Sequence, residues 1–379
     1  MEDLPFSEDW DEDVLGDGFQ RRTFELGPDP DVEPPIVATV VRYFPSSALN
    51  FNSGNPSTLQ QLKEQHAGKS EFHSRPAIMY VPGTRDYFFH RHVAEYLHQQ
   101  GFAVYVVDLR KCGRSHRKGQ LRHYVSDAVL YFKDLKIVSE FILAQGHPQL
   151  IAMGYSFSGQ VLAHWLDHLR RTDDQHIRPA ISGSSFNNPW IELTYPDWCV
   201  RIARVVAPIL ATWSPEMRLY QKKLATYVES LHKDYHGEWD FDLTYKPRGG
   251  HTKYWGWVNE AIKLIDRVQS GAVNCGVPVL VMCSLRSSSA RVFGDDTHTT
   301  DLVLNVDRII NYASLLGSDV TYIPIKDATH DVFLSQQRPR AQALHTCIDW
   351  LRDTAKLPSG TTPKPKFGNL YRIVAFNQL

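Results

Sequence analysis

The chain has 379 residues, 42% of them hydrophobic and 12% aromatic, which is enough apolar side chain for a large buried core and too much for wholesale disorder. Forty-one Lys and Arg against 42 Asp and Glu leave a net charge of −1, without the basic excess needed to neutralise nucleic-acid phosphates, so no nucleic-acid partner is expected. The first 18 residues are acidic and hold neither a basic leader nor an apolar stretch, and no window approaches 18 uninterrupted apolar residues. The expectation is a soluble cytoplasmic protein with no transmembrane segment. Its composition carries no signal of oligomeric state. Five widely spaced cysteines without a C-x-x-C argue against a disulfide framework or a zinc site.

Taken in chain order, FQRRTFEL (19–26) and IVATVVRYF (36–44) alternate or run apolar around GPDPDVEPP and are expected to pair as an antiparallel hairpin at a sheet border. Residues 46–75 read as a polar surface insertion. PAIMYVPG (76–83) and FAVYVVDL (102–109) are buried-strand runs that enclose a helical pattern, HRHVAEYLHQQG. A helix is expected near 124–145, then a strand at QLIAM (149–153), and then the amphipathic GQVLAHWLDHLRR. AISGSSF (180–186) and PVLVMCS (278–284) are further strand runs. A helix over 301–316, a strand VTYIPI (320–325) and a helix over 338–353 complete the pattern. Repeated βα units of this kind imply an α/β fold with a mostly parallel sheet flanked by helices.

Between Asn187 and Gly276 the alternation breaks into an aromatic-rich, helix-leaning stretch, read as an inserted helical cap. The expected organisation is an acidic tail over 1–18, a first core segment over 19–186, the cap over 187–275, a second core segment over 276–355 and a C-terminal tail over 356–379. The cap aromatics Trp190, Trp198, Trp213, Trp239, Tyr254, Trp255 and Trp257 fit two readings equally, an apolar acyl pocket or the cap's own packing.

GYSFSGQ (154–160) lies between a strand run and an amphipathic helix, the context of a G-x-S-x-G turn that lifts a serine above the sheet. With Ser156 as nucleophile, Gly154 and Ser158 take the two small positions, and Gly159 eases the start of the helix. The alternative, Ser158, would put Ser156 and Gln160 where small residues are needed. A serine hydroxyl requires a base oriented by a third group. Of 17 histidines, His330 alone combines a loop after the last strand run with a place before the last helix. His164 and His168 share one helical face, but no H-E-x-x-H supports a metal pair, and neither metal nor cofactor is expected. Three acids qualify as the third group. Asp301 is favoured, with helix N-capping as its competing role, and Asp295 and Asp296 are the alternatives.

YVPGTRDYFFHRHVAEYLHQQGFAVYVVDLRKCGRS, GYSFSG and DATHD together resemble the α/β-hydrolase superfamily, in its branch of monoacylglycerol lipases, lysophospholipases and serine-aminopeptidase-like esterases. The resemblance covers roughly residues 76–354. It implies the α/β-hydrolase fold with a cap, and a Ser156, His330, Asp301 triad. It also implies an oxyanion hole from the backbone N–H groups of Thr84 and Phe157, with Pro82-Gly83 standing where the family has His-Gly. Asp108, Gly113 and Ser115 match the family's D-x-x-G-x-G-x-S segment, with Cys112 unusual, and the loop leading to Asp301 is longer than usual. The activity implied is hydrolysis of carboxylic esters, of lipid or other apolar acyl groups, through an acyl-enzyme. An acyltransferase or a non-catalytic binding relative on the same scaffold is the alternative.

Overall fold

The computed structural model describes residues 10–45, 71–219 and 225–356, with the backbone of 372–373. Ten strands form one sheet in the order β1-β2-β3-β5-β4-β6-β7-β8-β9-β10. The strands are β1 (Asp11–Glu12), β2 (Phe19–Gly27), β3 (Ile36–Tyr43), β4 (Ala77–Val81), β5 (Ala103–Asp108), β6 (Leu150–Tyr155), β7 (Ile181–Asn187), β8 (Val279–Ser284), β9 (Val320–Ile325) and β10 (Arg372–Ile373). From β5 to β9 all pairings are parallel, while β1, β2 and β3 on one border and β10 on the other run antiparallel.

Strand side chains alternate between two cores. Ala77, Met79 and Val81 of β4 face one core with Tyr105 and Val107 of β5, whereas Ile78, Tyr80, Val104 and Val106 face the other. The first core is covered by α2 (Leu130–Ala144), α3 (Phe157–Arg171) and α6 (Trp255–Gln269), and the second by α1 (Arg91–Gln99) and α8 (Gln337–Ala355). Burial on both faces explains why the parallel strands read as continuous apolar runs in the sequence. Between β7 and β8 the chain makes α4 (Asp197–Trp213), α5 (Thr226–Leu231) and α6, and α7 (Val306–Ala313) precedes β9. Among the described residues, no helix is long and apolar enough to cross a membrane.

The hairpin expected at the border forms, but it is not the outermost element. β1 pairs outside β2, and Asp13 accepts from Arg114 Nε at 2.7 Å and Nη2 at 2.9 Å. Residues 10–18, grouped above with an acidic tail, are therefore built into the sheet border by a buried ion pair. Arg114 also reaches Asp108 at 3.0 Å, and the Ser115 hydroxyl donates to the Asp108 carbonyl at 2.6 Å. A Cβ on Gly113, at φ 41°, would come within 2.6 Å of the Asp108 carboxylate. That is the physical reason for the D-x-x-x-x-G-x-S spacing: the loop after β5 folds back on its own strand end. Most of the 46–75 stretch and most of the C-terminal tail lie outside the described residues.

The hairpin connection carries a second tether. Its Asp29, Asp31 and Glu33 surround the fully buried ammonium of Lys111 at 2.5, 3.1 and 3.4 Å. Burial pushes the Glu33 carboxyl up while Lys111 pulls it down. Removing one partner of a buried ion pair leaves uncompensated charge, so Lys111→Met should cost about 3–5 kcal/mol in urea unfolding. A cost below about 1 kcal/mol would mean that the three carboxylates are held without it.

Candidate active site

β6 ends at Tyr155 and α3 begins at Phe157, so Ser156 alone makes the turn between them. Its backbone adopts φ 54° and ψ −119°, a conformation costing a non-glycine residue of order 1–3 kcal/mol. Three hydrogen bonds hold it there. The Ser156 N–H donates to the Asn187 carbonyl at 2.9 Å, and its own carbonyl accepts from Gly159 at 3.1 Å and Trp190 at 3.0 Å.

The close crossing of strand and helix is made by Gly154 and Gly159, rather than by Gly154 and Ser158 as the sequence pattern suggests. A Cβ on Gly154 would stand 2.9 Å from the Gly159 nitrogen, and one on Gly159 would stand 2.9 Å from Pro189 Cβ. Ser158 has another task. Buried at the start of α3, it donates its hydroxyl to the Pro82 carbonyl and so ties the turn to the segment leading into Gly83 and Thr84.

His330, in the loop after β9, places Nε2 3.2 Å from Ser156 Oγ and Nδ1 2.7 Å from Asp301 Oδ2. With a carboxylate as its partner, Nδ1 carries the proton, which leaves the Nε2 lone pair facing the serine hydroxyl. Asp301 is fully buried, and its other oxygen accepts the N–H groups of Val303 at 2.7 Å and Leu304 at 2.8 Å. The length of the preceding loop does not displace it. The chain leaves after Ser288 and returns so that Asp301 N–H donates to Arg286 at 2.8 Å and its carbonyl accepts from Ser288 at 2.9 Å. Asp301 thus sits just beyond the end of β8. It does not cap α7, whose N-cap is Asn305, accepting from the Arg308 N–H. Asp295 and Asp296 form an exposed turn within the excursion, away from His330.

Thr84 follows β4 in a turn and lines one small concavity with Gly83, Phe157 and Ser158. Phe157 opens α3, so its N–H has no partner within the helix. Gly83 packs so closely that a Cβ there would lie 2.8 Å from the Tyr155 ring.

Several residues around His330 were not singled out by the sequence. Asn188 donates to the His330 carbonyl. Asp331, the next residue, is fully buried, with Oδ2 2.8 Å from His90 Nε2 and Oδ1 accepting from Asn187 at 2.7 Å and Phe333 N–H at 3.0 Å. Burial alone would raise the Asp331 carboxyl, but His90, Lys246 and Asn187 together hold it below the usual carboxylate range. The imidazole of His330 also packs between Tyr155 and Tyr227, at centroid distances of 5.1 and 5.6 Å, and the two phenols meet at 3.0 Å. Burial pushes both hydroxyls well up, so they stay neutral. Polar side chains at the carboxyl ends of β7 and β9 were the available sequence signal, since open α/β sheets gather functional groups there.

The cap aromatics divide between the two readings. Trp257 and Trp190 pack on Phe157 at 4.9 and 6.1 Å, next to the candidate nucleophile. Trp239 stacks on His92, Tyr254 meets Tyr124 edge-on, and Trp255 belongs to the packing of α4 on α6. Trp198 and Trp213 are exposed, on an outward face of α4 shared with Ile202, Val205 and Ile209.

No curated protein sequence matches this chain significantly. Among solved structures, a soluble variant of the monoglyceride lipase of Saccharomyces cerevisiae, in complex with a substrate analogue, is similar at 16% identity with a TM-score of 0.57, over 91% of this chain and 94% of that one. The monoacylglycerol lipase of Paleococcus ferrophilus is similar at 16% identity and a TM-score of 0.53, over 74% of this chain and 96% of that one. At these identities the likeness establishes the α/β-hydrolase fold. The model of the family described as serine aminopeptidase, S33, matches residues 73–287, more than half of the chain, and the protein belongs to that family of α/β-hydrolases.

Proposed function

We propose that this protein is a serine hydrolase that cleaves carboxylic esters through an acyl-enzyme intermediate. The observation that carries the reading is the hydrogen-bonded chain from Ser156 Oγ through His330 to Asp301, at 3.2 and 2.7 Å, closing on a strained turn. In the first step Ser156 Oγ bonds to the ester carbonyl carbon while His330 Nε2 takes its proton, and Asp301 stabilises the imidazolium that forms. Negative charge develops on the carbonyl oxygen, where the N–H groups of Thr84 and Phe157 are the candidate donors. Collapse of the tetrahedral intermediate expels the alkoxide, which receives the proton from His330. Water, deprotonated by His330, then attacks the acyl-serine, releasing the acid and returning the proton to Ser156.

An ester is favoured over an amide because an alkoxide leaves more readily than an amine. Phe157, next to Ser156 in the chain, packs with Trp190 and Trp257, and an acyl chain lying along this aromatic group would meet apolar surface. A binding protein without turnover gains nothing from the strain at Ser156, which favours the enzymatic reading.

Ser156→Ala should lower ester turnover by roughly 10⁶. Ser158→Ala, which removes only the bond to Pro82, should cost about 1 kcal/mol of stability and retain most of the turnover. Steady-state rates on 4-nitrophenyl butyrate distinguish the two serines, and the reverse ranking would move the nucleophile to Ser158. Asp301→Asn keeps an acceptor for the Val303 and Leu304 amides but favours the wrong tautomer of His330, so kcat should fall by about 10⁴. Asn305→Ala, at the true helix cap, should cost about 1 kcal/mol of stability with kcat unchanged. A full kcat in Asp301→Asn would remove Asp301 from the mechanism.

A further inference from the structure

Beside the candidate oxyanion loop lies a group of basic side chains, two of which, Arg122 and His123, have buried nitrogens without a partner among the described residues. Arg85 directly follows Thr84, sits at φ 64°, and donates its backbone N–H to His123 Nδ1 at 3.3 Å. That bond leaves the neutral His123 imidazole with its proton on Nε2. His123 is 5% exposed, and this Nε2 has no partner among the described residues. Its ring packs against His251 at 5.2 Å, and the neighbouring Arg122 also has a buried nitrogen, Nη1, without a partner among the described residues. The Arg85 guanidinium donates to the Gly249 carbonyl at 3.1 Å, which joins the oxyanion loop to the segment carrying His251 and Lys253.

Lys253 completes the group from the other side. Its ammonium stands over the faces of Trp190 and Trp257 at 4.9 and 5.3 Å, and both rings pack on Phe157. Among the described residues, no carboxylate pairs with Lys253, Arg122 or His123. Desolvation and the nearby Arg85 push Lys253 down to about 7, while burial and the surrounding cations push His123 well down and His251 to about 4. Unmet buried donors and unpaired cations are costly, and a bound anion relieves both conditions at once.

We infer that Arg122, His123 and Lys253, grouped around the Arg85 and His251 anchors, form an anion subsite, and that the ester substrate carries a carboxylate or phosphate which it holds next to the reacting carbonyl. The substrate role rests on the serine-hydrolase reading, whereas the anion site itself does not. A cation standing over the Trp190 and Trp257 rings, which pack on Phe157, suits an amphiphilic acyl compound better than a wholly neutral one.

Two matched substrate pairs test the inference. With the anion on the acyl side, the 4-nitrophenyl half-ester of adipic acid is compared with 4-nitrophenyl hexanoate. With the anion on the alcohol side, 2-carboxyethyl hexanoate is compared with propyl hexanoate. In one of the pairs kcat/KM should favour the anionic member by tenfold or more, and Lys253→Gln should reduce that ratio about tenfold, on the scale of one lost charge-assisted contact. Independently of turnover, adipate should raise the Tm of the wild-type protein more than its neutral diamide, adipamide, does, and Lys253→Gln should abolish the difference. Inorganic phosphate in the same assay separates recognition of any small anion from recognition of a carboxylate on an acyl chain. If no ester is cleaved but the adipate shift depends on Lys253, the subsite stands and the hydrolase reading falls. Neutral members equal or favoured in both pairs, or an adipate shift that survives Lys253→Gln, would overturn the subsite.

Discussion

The site depends on one steric constraint, the contact between Gly154 at the end of β6 and Gly159 in the first turn of α3. A Cβ on Gly154 would meet the Gly159 backbone, and one on Gly159 would meet Pro189, so the helix starts almost on top of the strand and the intervening residue takes a positive φ. That residue is Ser156. The cost of its conformation is offset locally by three backbone hydrogen bonds, and the Ser158 hydroxyl links the turn to the β4 loop that carries Thr84. Two loops that the sequence separates by about 70 residues are thereby brought to a single concavity.

Electrostatics supplies the second level of order. The loop after β9 places two adjacent residues in opposite roles: His330 turns toward Ser156 and Asp301, while Asp331 turns inward to His90 and Asn187. Each imidazole meets its own buried carboxylate, so the loop is anchored by one pair while the other faces the serine. Asn187 and Asn188 at the end of β7 fasten both halves, to Asp331 and to the His330 carbonyl. A rigid frame of this kind is what the proposed proton transfer by His330 needs, because small misplacements are expensive in rate. Arg122, His123 and Lys253, on the other side of the candidate oxyanion loop, have no such partners among the described residues, and this contrast marks them as the place for the proposed ligand.

The parallel strands were legible in the sequence because both faces of the sheet are covered, so each strand appears as an unbroken apolar run between turn residues. Ser156 and His330 were legible because a strand run precedes each of them. Asp301 was only partly so: the excursion over 289–300 hides in sequence the return to the end of β8 that the Arg286 and Ser288 hydrogen bonds create. The cap aromatics could not be sorted from sequence, since an exposed Trp213 and a packed Trp257 look alike until the helices are docked. The same holds for Asp13, whose tie to Arg114 draws an acidic stretch into the sheet border. Long-range charge pairing leaves no local periodicity to read.

The most direct test of the account is the chemistry of Ser156 itself. The protein would be incubated with a fluorophosphonate, weighed intact and peptide-mapped, alongside His330→Ala with its fold verified by circular dichroism. The account predicts a single phosphonyl adduct, on Ser156, formed rapidly in the wild-type protein and absent or greatly slowed in His330→Ala. No adduct, an adduct on Ser158, or labelling at an unchanged rate without His330 would contradict it.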